Sequence, residues 1–136
     1  YSINYRLLNK FSIYNTLSYV RGLNKKDDQD LPQISPLNSI VGIEYFPLDW
    51  MSADLSAIIF AEQNKVAPGE ITTPGYTTFN FKLNFINLIL GSIKAGVSIG
   101  LENIFDKEYR NHLSTNRGMI ISEPGRNIFV RVNIAF

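Results

Sequence analysis

The sequence predicts an all-β fold, an antiparallel up-and-down sheet of about seven strands, and three observations carry that expectation. Apolar and polar residues alternate with period two along most of the chain. The connections between the alternating runs are short and long by turns. A content of 45% hydrophobic and 12% aromatic residues is combined with a mean hydropathy of only -0.03. That combination excludes disorder and fits strands with one greasy and one polar face.

Each element can be justified in order. Tyr1, Ile3, Tyr5 and Leu7 oppose Ser2, Asn4 and Arg6. Phe11, Ile13, Leu17 and Tyr19 oppose Ser12, Thr16 and Ser18, with Asn15 interrupting the apolar side. Val41, Ile43 and Tyr45 oppose Gly42 and Glu44. Met51, Ala53, Leu55, Ala57, Ile59 and Ala61 oppose Ser52, Asp54, Ser56 and Glu62. Phe79, Phe81, Leu83 and Phe85 oppose Asn80, Lys82 and Asn84. The clearest run sets Ile93, Ala95, Val97, Ile99 and Leu101 against Lys94, Gly96, Ser98, Gly100 and Glu102. The last sets Ile128, Val130, Val132, Ile134 and Phe136 against Arg131, Asn133 and Ala135, with Phe129 as the exception. Helix is expected only as a short turn within Asn103–Leu113.

The connections near Leu8–Lys10, Pro47–Asp49 and Asn87–Ser92 read as tight hairpins. Those over Gly22–Leu37, Asn64–Gly75 and Phe105–Gly125 are long and hold Pro68-Gly69, Pro74-Gly75 and Pro124-Gly125. A meander with one smooth and one decorated end is the pattern of a transmembrane β-barrel. Alternation alone does not say which face is outside, since a soluble barrel turns its apolar face inward. Three features favour outward. The apolar face is rich in small residues (Ala53, Ala57, Ala61, Ala95) that pack a closed core poorly. Aromatic residues collect near strand ends: Phe11, Tyr45, Phe46, Trp50, Phe85 and Phe136 toward the short turns, Tyr19, Phe60 and Tyr76 toward the long loops. Such belts suit the headgroup layers. The chain also stops on Phe136 at the end of an alternating run.

Several classes are excluded. Thirteen basic and twelve acidic residues leave a net charge of +1, so no nucleic-acid partner is expected. The absence of cysteine removes disulfide scaffolds and thiolate metal sites, and His112 is the lone histidine. The longest stretch without an acidic or basic residue, Leu31–Ile43, has 13 residues, short of the ~18 that a spanning helix needs. Tyr1–Leu8 already alternates like a strand, so no signal peptide is expected and the chain reads as mature or cut. About seven strands do not close a barrel, and in lipid each orphaned backbone group costs several kcal/mol. Either the count is one strand short, or residues 1–136 are the last third of a longer barrel, which would also account for the absent signal peptide and the abrupt start.

Two motifs sharpen this. Leu101-Glu102-Asn103-Ile104-Phe105-Asp106-Lys107-Glu108-Tyr109-Arg110-Asn111-His112-Leu113-Ser114 resembles the penultimate-strand motif of TonB-dependent outer-membrane receptors, with Ile104 where Leu or Val is usual. Ser122-Glu123-Pro124-Gly125-Arg126-Asn127 and the strand ending at Phe136 resemble that family's closing strand. Thr73-Pro74-Gly75-Tyr76-Thr77 and Leu31-Pro32-Gln33-Ile34-Ser35-Pro36-Leu37 resemble entries to earlier strands. The resemblance implies the last ~7 strands of a barrel of about 22, with the plug domain and TonB box outside this chain. It implies the outer membrane of a Gram-negative bacterium and TonB-dependent uptake of a scarce solute, a ferric siderophore or similar metal chelate. Partners would be membrane lipid and lipopolysaccharide, the plug and remaining strands, TonB through the N-terminal part, and the assembly machinery reading Phe136. No enzymatic activity, cofactor or metal site is expected.

The candidate functional residues fall into two groups. Glu44, Asp54, Lys82, Lys94, Glu102 and Arg131 would face a wet lumen and contact plug or solute. Arg110, His112, Arg117 and Arg126 surround the last long loop and would attract an anionic solute. The alternatives are a soluble β-barrel holding a small apolar ligand, or a small complete outer-membrane barrel with a structural role.

Overall fold

The structure, a computed structural model, describes residues 1–91, 93–118 and 120–135. Its elements are β1 (Ser2–Leu7), β2 (Phe11–Ser18), β3 (Leu23–Asn24), β4 (Gln29–Asp30), β5 (Asn38–Leu48), β6 (Met51–Phe60), β7 (Tyr76–Leu90), β8 (Ile93–Glu102), α1 (His112–Gly118) and β9 (Asn127–Ala135). Seven of the strands form one antiparallel sheet in the order β1-β2-β5-β6-β7-β8-β9, and β3 with β4 forms a separate small ribbon. Apart from that ribbon, sequence neighbours are sheet neighbours, so the meander is as expected. The β3–β4 ribbon inside the first long loop is an addition that two-residue strands do not announce in a sequence.

The strand limits differ from expectation at β7, which has 15 residues and runs through Asn87. Asn87 adopts a positive φ of 55°, and the register with β8 shifts between Phe85 and Leu88. A bulge absorbs the surplus residue where a turn was expected, and the strand continues. A second irregularity between Tyr45 and Leu48 accommodates Pro47, which cannot donate to a ladder. The first hairpin turns through Leu8 and Asn9, both left-handed, which matches the right-handed twist of the flanking strands.

Burial assigns the two faces. Ser12, Ser52, Asp54, Ser56 and Thr78 are buried, whereas Ile13, Ile43, Leu55, Phe81, Ile99 and Val130 on the opposite face are exposed. Ile93, Val132 and Ile134, which a soluble barrel would gather in a dry centre, are 40%, 55% and 61% exposed. The sheet is inside-out relative to a water-soluble barrel. Each such side chain gains about 1.5–3 kcal/mol on full transfer from water to an apolar medium, so the outer face calls for hydrocarbon. Asn15, the polar intruder on that face, donates to Ser39 Oγ at 2.7 Å, which lowers its cost in lipid.

Two glycines shape the inner face. Tyr14 stands opposite Gly42 and Phe129 opposite Gly100. In both pairs the aromatic ring lies where a Cβ would be, so only glycine lets the ring lie flat on the neighbouring strand. That explains Phe129, the one apolar exception in β9.

At the short-turn end the expected girdle is present: Phe11 stacks on Tyr45 at 4.8 Å and Trp50 on Phe85 at 6.2 Å. At the other end it is corrected. Phe60 and Tyr76 share the inner face with Ser56 and Thr78, stack at 4.9 Å, and continue into Tyr109 at 4.4 Å. They support the loops instead of meeting lipid. Phe79 and Phe105, edge to face at 5.4 Å, stand on the outer side there. Phe46 likewise faces inward, under the guanidinium of Arg6 at 5.4 Å. The expected assembly residue Phe136 lies outside the described residues.

Candidate functional site

The inner wall places its polar groups in rows set by strand register. One row runs Ser12, Glu44, Asp54, Lys82, Gly100 across five strands. Glu44 and Asp54 are thus direct neighbours, and like charges in that relation repel. Two features offset this: Lys82 stands opposite Asp54 on the other side, and the Tyr14 hydroxyl donates to Asp54 Oδ2 at 2.8 Å. Asp54 is only 8% exposed. A second row links Ser52, Asn84 and Ser98 by side-chain hydrogen bonds of 3.2 and 3.0 Å, with Arg131 opposite Ser98. Beside the second row, toward the short turns, lies a hollow of ≈ 250 Å³ lined by Glu44, Phe46, Ser52, Asn84, Ser98 and Asn133. The structure therefore joins Glu44, Asp54 and Lys82. It places Lys94 near the short turns, opposite Ile89 and Ala135, and Glu102 at the loop end, where it accepts from Asn127 Nδ2 at 3.1 Å.

The long loops form a second surface, knotted by side chains. Glu70 accepts the Gln33 N–H at 2.7 Å and the Ala67 N–H at 3.1 Å. Gln63 donates to the Ile34 carbonyl at 2.9 Å. Asn116 brackets Ile71, accepting its N–H at 2.8 Å and donating to its carbonyl at 3.1 Å. Arg117 donates twice to Gln33 Oε1, at 3.2 and 3.0 Å. Three loops distant in sequence are thereby held as one layer.

The two motifs of the last loop meet in space. Asn103, left-handed at φ 48°, accepts the Lys107 N–H at 2.9 Å and donates to the Lys107 carbonyl at 2.8 Å. The turn this creates aims Asp106 at the returning chain, where its Oδ1 accepts the Arg126 N–H at 2.7 Å. A Cβ on Gly125 would sit 2.5 Å from that oxygen, so glycine is needed beside the latch. The helix lies later than expected. Asn111 caps it, its Oδ1 accepting the Leu113 N–H at 3.0 Å, and the left-handed residues Asn103 and Asp106 keep the preceding stretch irregular.

His112 is a correction to the cationic set. It is 2% exposed and sits inside the loop layer. Its Nδ1 lies 3.1 Å from Thr73 Oγ1 and 3.2 Å from Asn116 Nδ2, while Nε2 has no partner among the described residues. Burial lowers its pKa, against a smaller opposing pull from Glu70, so the ring is neutral at pH 7. It is a joint between loops and is not presented to a solute. Burial likewise pushes the Tyr109 pKa up. Arg110, Arg117 and Arg126 remain exposed, Arg117 tied to Gln33, and Arg126 at the entry to β9. Among the described residues no group of three or more His, Asp and Glu side chains is placed to hold a metal. The residues that sequence reasoning missed are the carboxamides, Gln33, Gln63, Asn103 and Asn116. Their one signal was that Gln33 and Asn103 stood inside recognisable motifs.

Fold, faces and loop asymmetry together define a wall segment of a transmembrane β-barrel. The chain is similar to a solved structure, the copper transporter OprC, with a TM-score of 0.82 and 27% identity over 96% of the chain. It spans 22% of the length of that structure. No family model and no curated protein matches the sequence. The segment belongs to an outer-membrane β-barrel.

Proposed function

We propose that the chain is the C-terminal wall and loop segment of a TonB-dependent receptor, a transporter element and not an enzyme. The observation that carries this reading is the inversion of the sheet: buried polar rows within, exposed aliphatic side chains without. A wide barrel needs a wet interior and a lipid-facing exterior, and the rows of Glu44, Asp54, Lys82, Asn84 and Arg131 supply a polar wall for a plug and a passing solute. The likeness to a copper transporter supports transport, and the two last-loop motifs support the family. The solute is a metal chelate, ferric siderophores foremost. Lipid and lipopolysaccharide cover the outer face, the plug and the remaining strands complete the barrel, TonB engages the N-terminal part, and the assembly machinery reads Phe136.

Deleting the gene and measuring uptake of labelled ferric siderophores and of copper, with and without a protonophore, tests this reading. Loss of protonophore-sensitive uptake for one solute is expected, and uptake unchanged for every solute overturns it. Neutralising Arg110 and Arg117 together should weaken uptake of an anionic chelate most at low ionic strength, where steering is least screened.

A further inference from the structure

Between the β6–β7 loop and the last loop lies a cleft of ≈ 310 Å³ lined by Ile71, Ile120, Ile121, Arg110, Thr115 and Asn116. That volume lies within the range of small-molecule sites, about 300–1,000 Å³. Its apolar members are unusual for a polar loop layer: Ile71, Ile120 and Ile121 are all exposed. The walls are fixed before any ligand arrives. Asn116 holds both backbone groups of Ile71, and Thr115, itself buried, donates to the Ile120 carbonyl at 3.0 Å. The single charged group of the cleft is Arg110. The Arg117 guanidinium is held by Gln33, but among the described residues no hydrogen bond engages the Arg110 side chain.

We infer that this cleft is a binding site for a small amphipathic anion, a carboxylate or phosphate carried on an apolar body. The isoleucines take the body and Arg110 takes the anionic group in a charge-assisted, two-pronged contact. Preorganised walls reduce the ordering cost of binding. The site does not depend on transport, so it stands or falls separately from the receptor reading. Two sources supply this chemistry: a dissolved amphiphile, or the phosphates and acyl chains of the outer-leaflet glycolipid.

The test uses the full-length protein carrying this sequence in phosphatidylcholine nanodiscs, with 4-phenylbutyrate as probe and saturation-transfer NMR as readout. Arg110→Gln should weaken binding about tenfold or more, the scale of a lost hydrogen bond to a charged group. Ile121→Ser should weaken it severalfold, and 4-phenylbutanol, lacking the charge, should bind as poorly to the native protein as 4-phenylbutyrate does to Arg110→Gln. Unchanged thermal unfolding of both variants shows that the barrel is intact. No binding of 4-phenylbutyrate by the native protein, or equal binding by Arg110→Gln, or equal binding of the alcohol, overturns the site. Lipid A placed in the nanodisc that displaces the probe upholds the site with the glycolipid as occupant. Undiminished binding upholds it with a dissolved anion.

Discussion

The wall and the loop layer face the same difficulty, backbone polar groups that must find partners, and meet it by different means. In the wall, successive strands pair antiparallel and the ladder satisfies the backbone, leaving side chains free to face lipid or lumen. In the loop layer few backbone pairs exist, and carboxamides and carboxylates take their place: Glu70 on Gln33 and Ala67, Asn116 on Ile71, Asn103 on Lys107, Asp106 on Arg126. The lesson is that the wall's stability is set by its surroundings and the loops' stability by individual side chains. The two regions should therefore fail differently.

The largest difference is expected on the outer face. Leu55→Arg puts a cation where the apolar side chain is 47% exposed in mid-strand, and should cost about 2–4 kcal/mol in urea unfolding from lipid vesicles. Lys94→Gln, an exposed inner-face side chain near the short turns with no charged cross-strand neighbour, should stay within about 0.5 kcal/mol. Equal costs would mean that the faces are wrongly assigned. Next comes Gly100→Val, whose side chain meets the Phe129 ring; overpacking of about 1–3 kcal/mol is expected. Phe129→Ala in that background should recover part of the loss, and strictly additive effects would show that the ring does not lie there.

Effects in the loops are smaller and local. Asp106→Ala should cost about 1 kcal/mol, seen as faster hydrogen exchange in the last loop with the wall's protection unchanged. The smallest effect is on pH. His112 has a folded-state pKa below its ordinary value of 6.5 because it is buried. The unfolded loop therefore takes up a proton first. Its contribution to loop stability is full above that value and declines as pH falls from it toward the lowered pKa. Loop exchange, corrected for its intrinsic pH dependence, should rise over that window in the native protein and stay flat in His112→Phe.

Much of the wall was legible because alternation is a local property. Ile93–Glu102 and Ile128–Ile134 show their faces residue by residue, and the pleat translates that directly into two sides of a sheet. The exceptions were legible only as exceptions. Phe129 and Asn15 broke the pattern, and their reasons, a glycine and a serine on neighbouring strands, lie across the register. Phe60 and Tyr76 were misread as lipid anchors because position along a strand was weighed above parity. Even-numbered residues of β6, and of β7 up to its bulge, face inward, whatever their chemistry. In the loops the motif residues could be recognised but not their jobs. Asp106 and Gly125 are 19 positions apart in the chain, and nothing local announces that one carboxylate sits beside the other's missing Cβ.

The amino-acid order alone determined that strands form, how many cross the sheet, and which ends carry long loops, since these depend on neighbours within a few residues. The three-dimensional arrangement decided which face is enclosed, that Glu44, Asp54 and Lys82 share one row, and that His112 is a neutral joint while Arg110 is left open. Enclosure and pairing depend on contacts between segments tens of residues apart. Those contacts are set by register and loop packing, which no local pattern encodes.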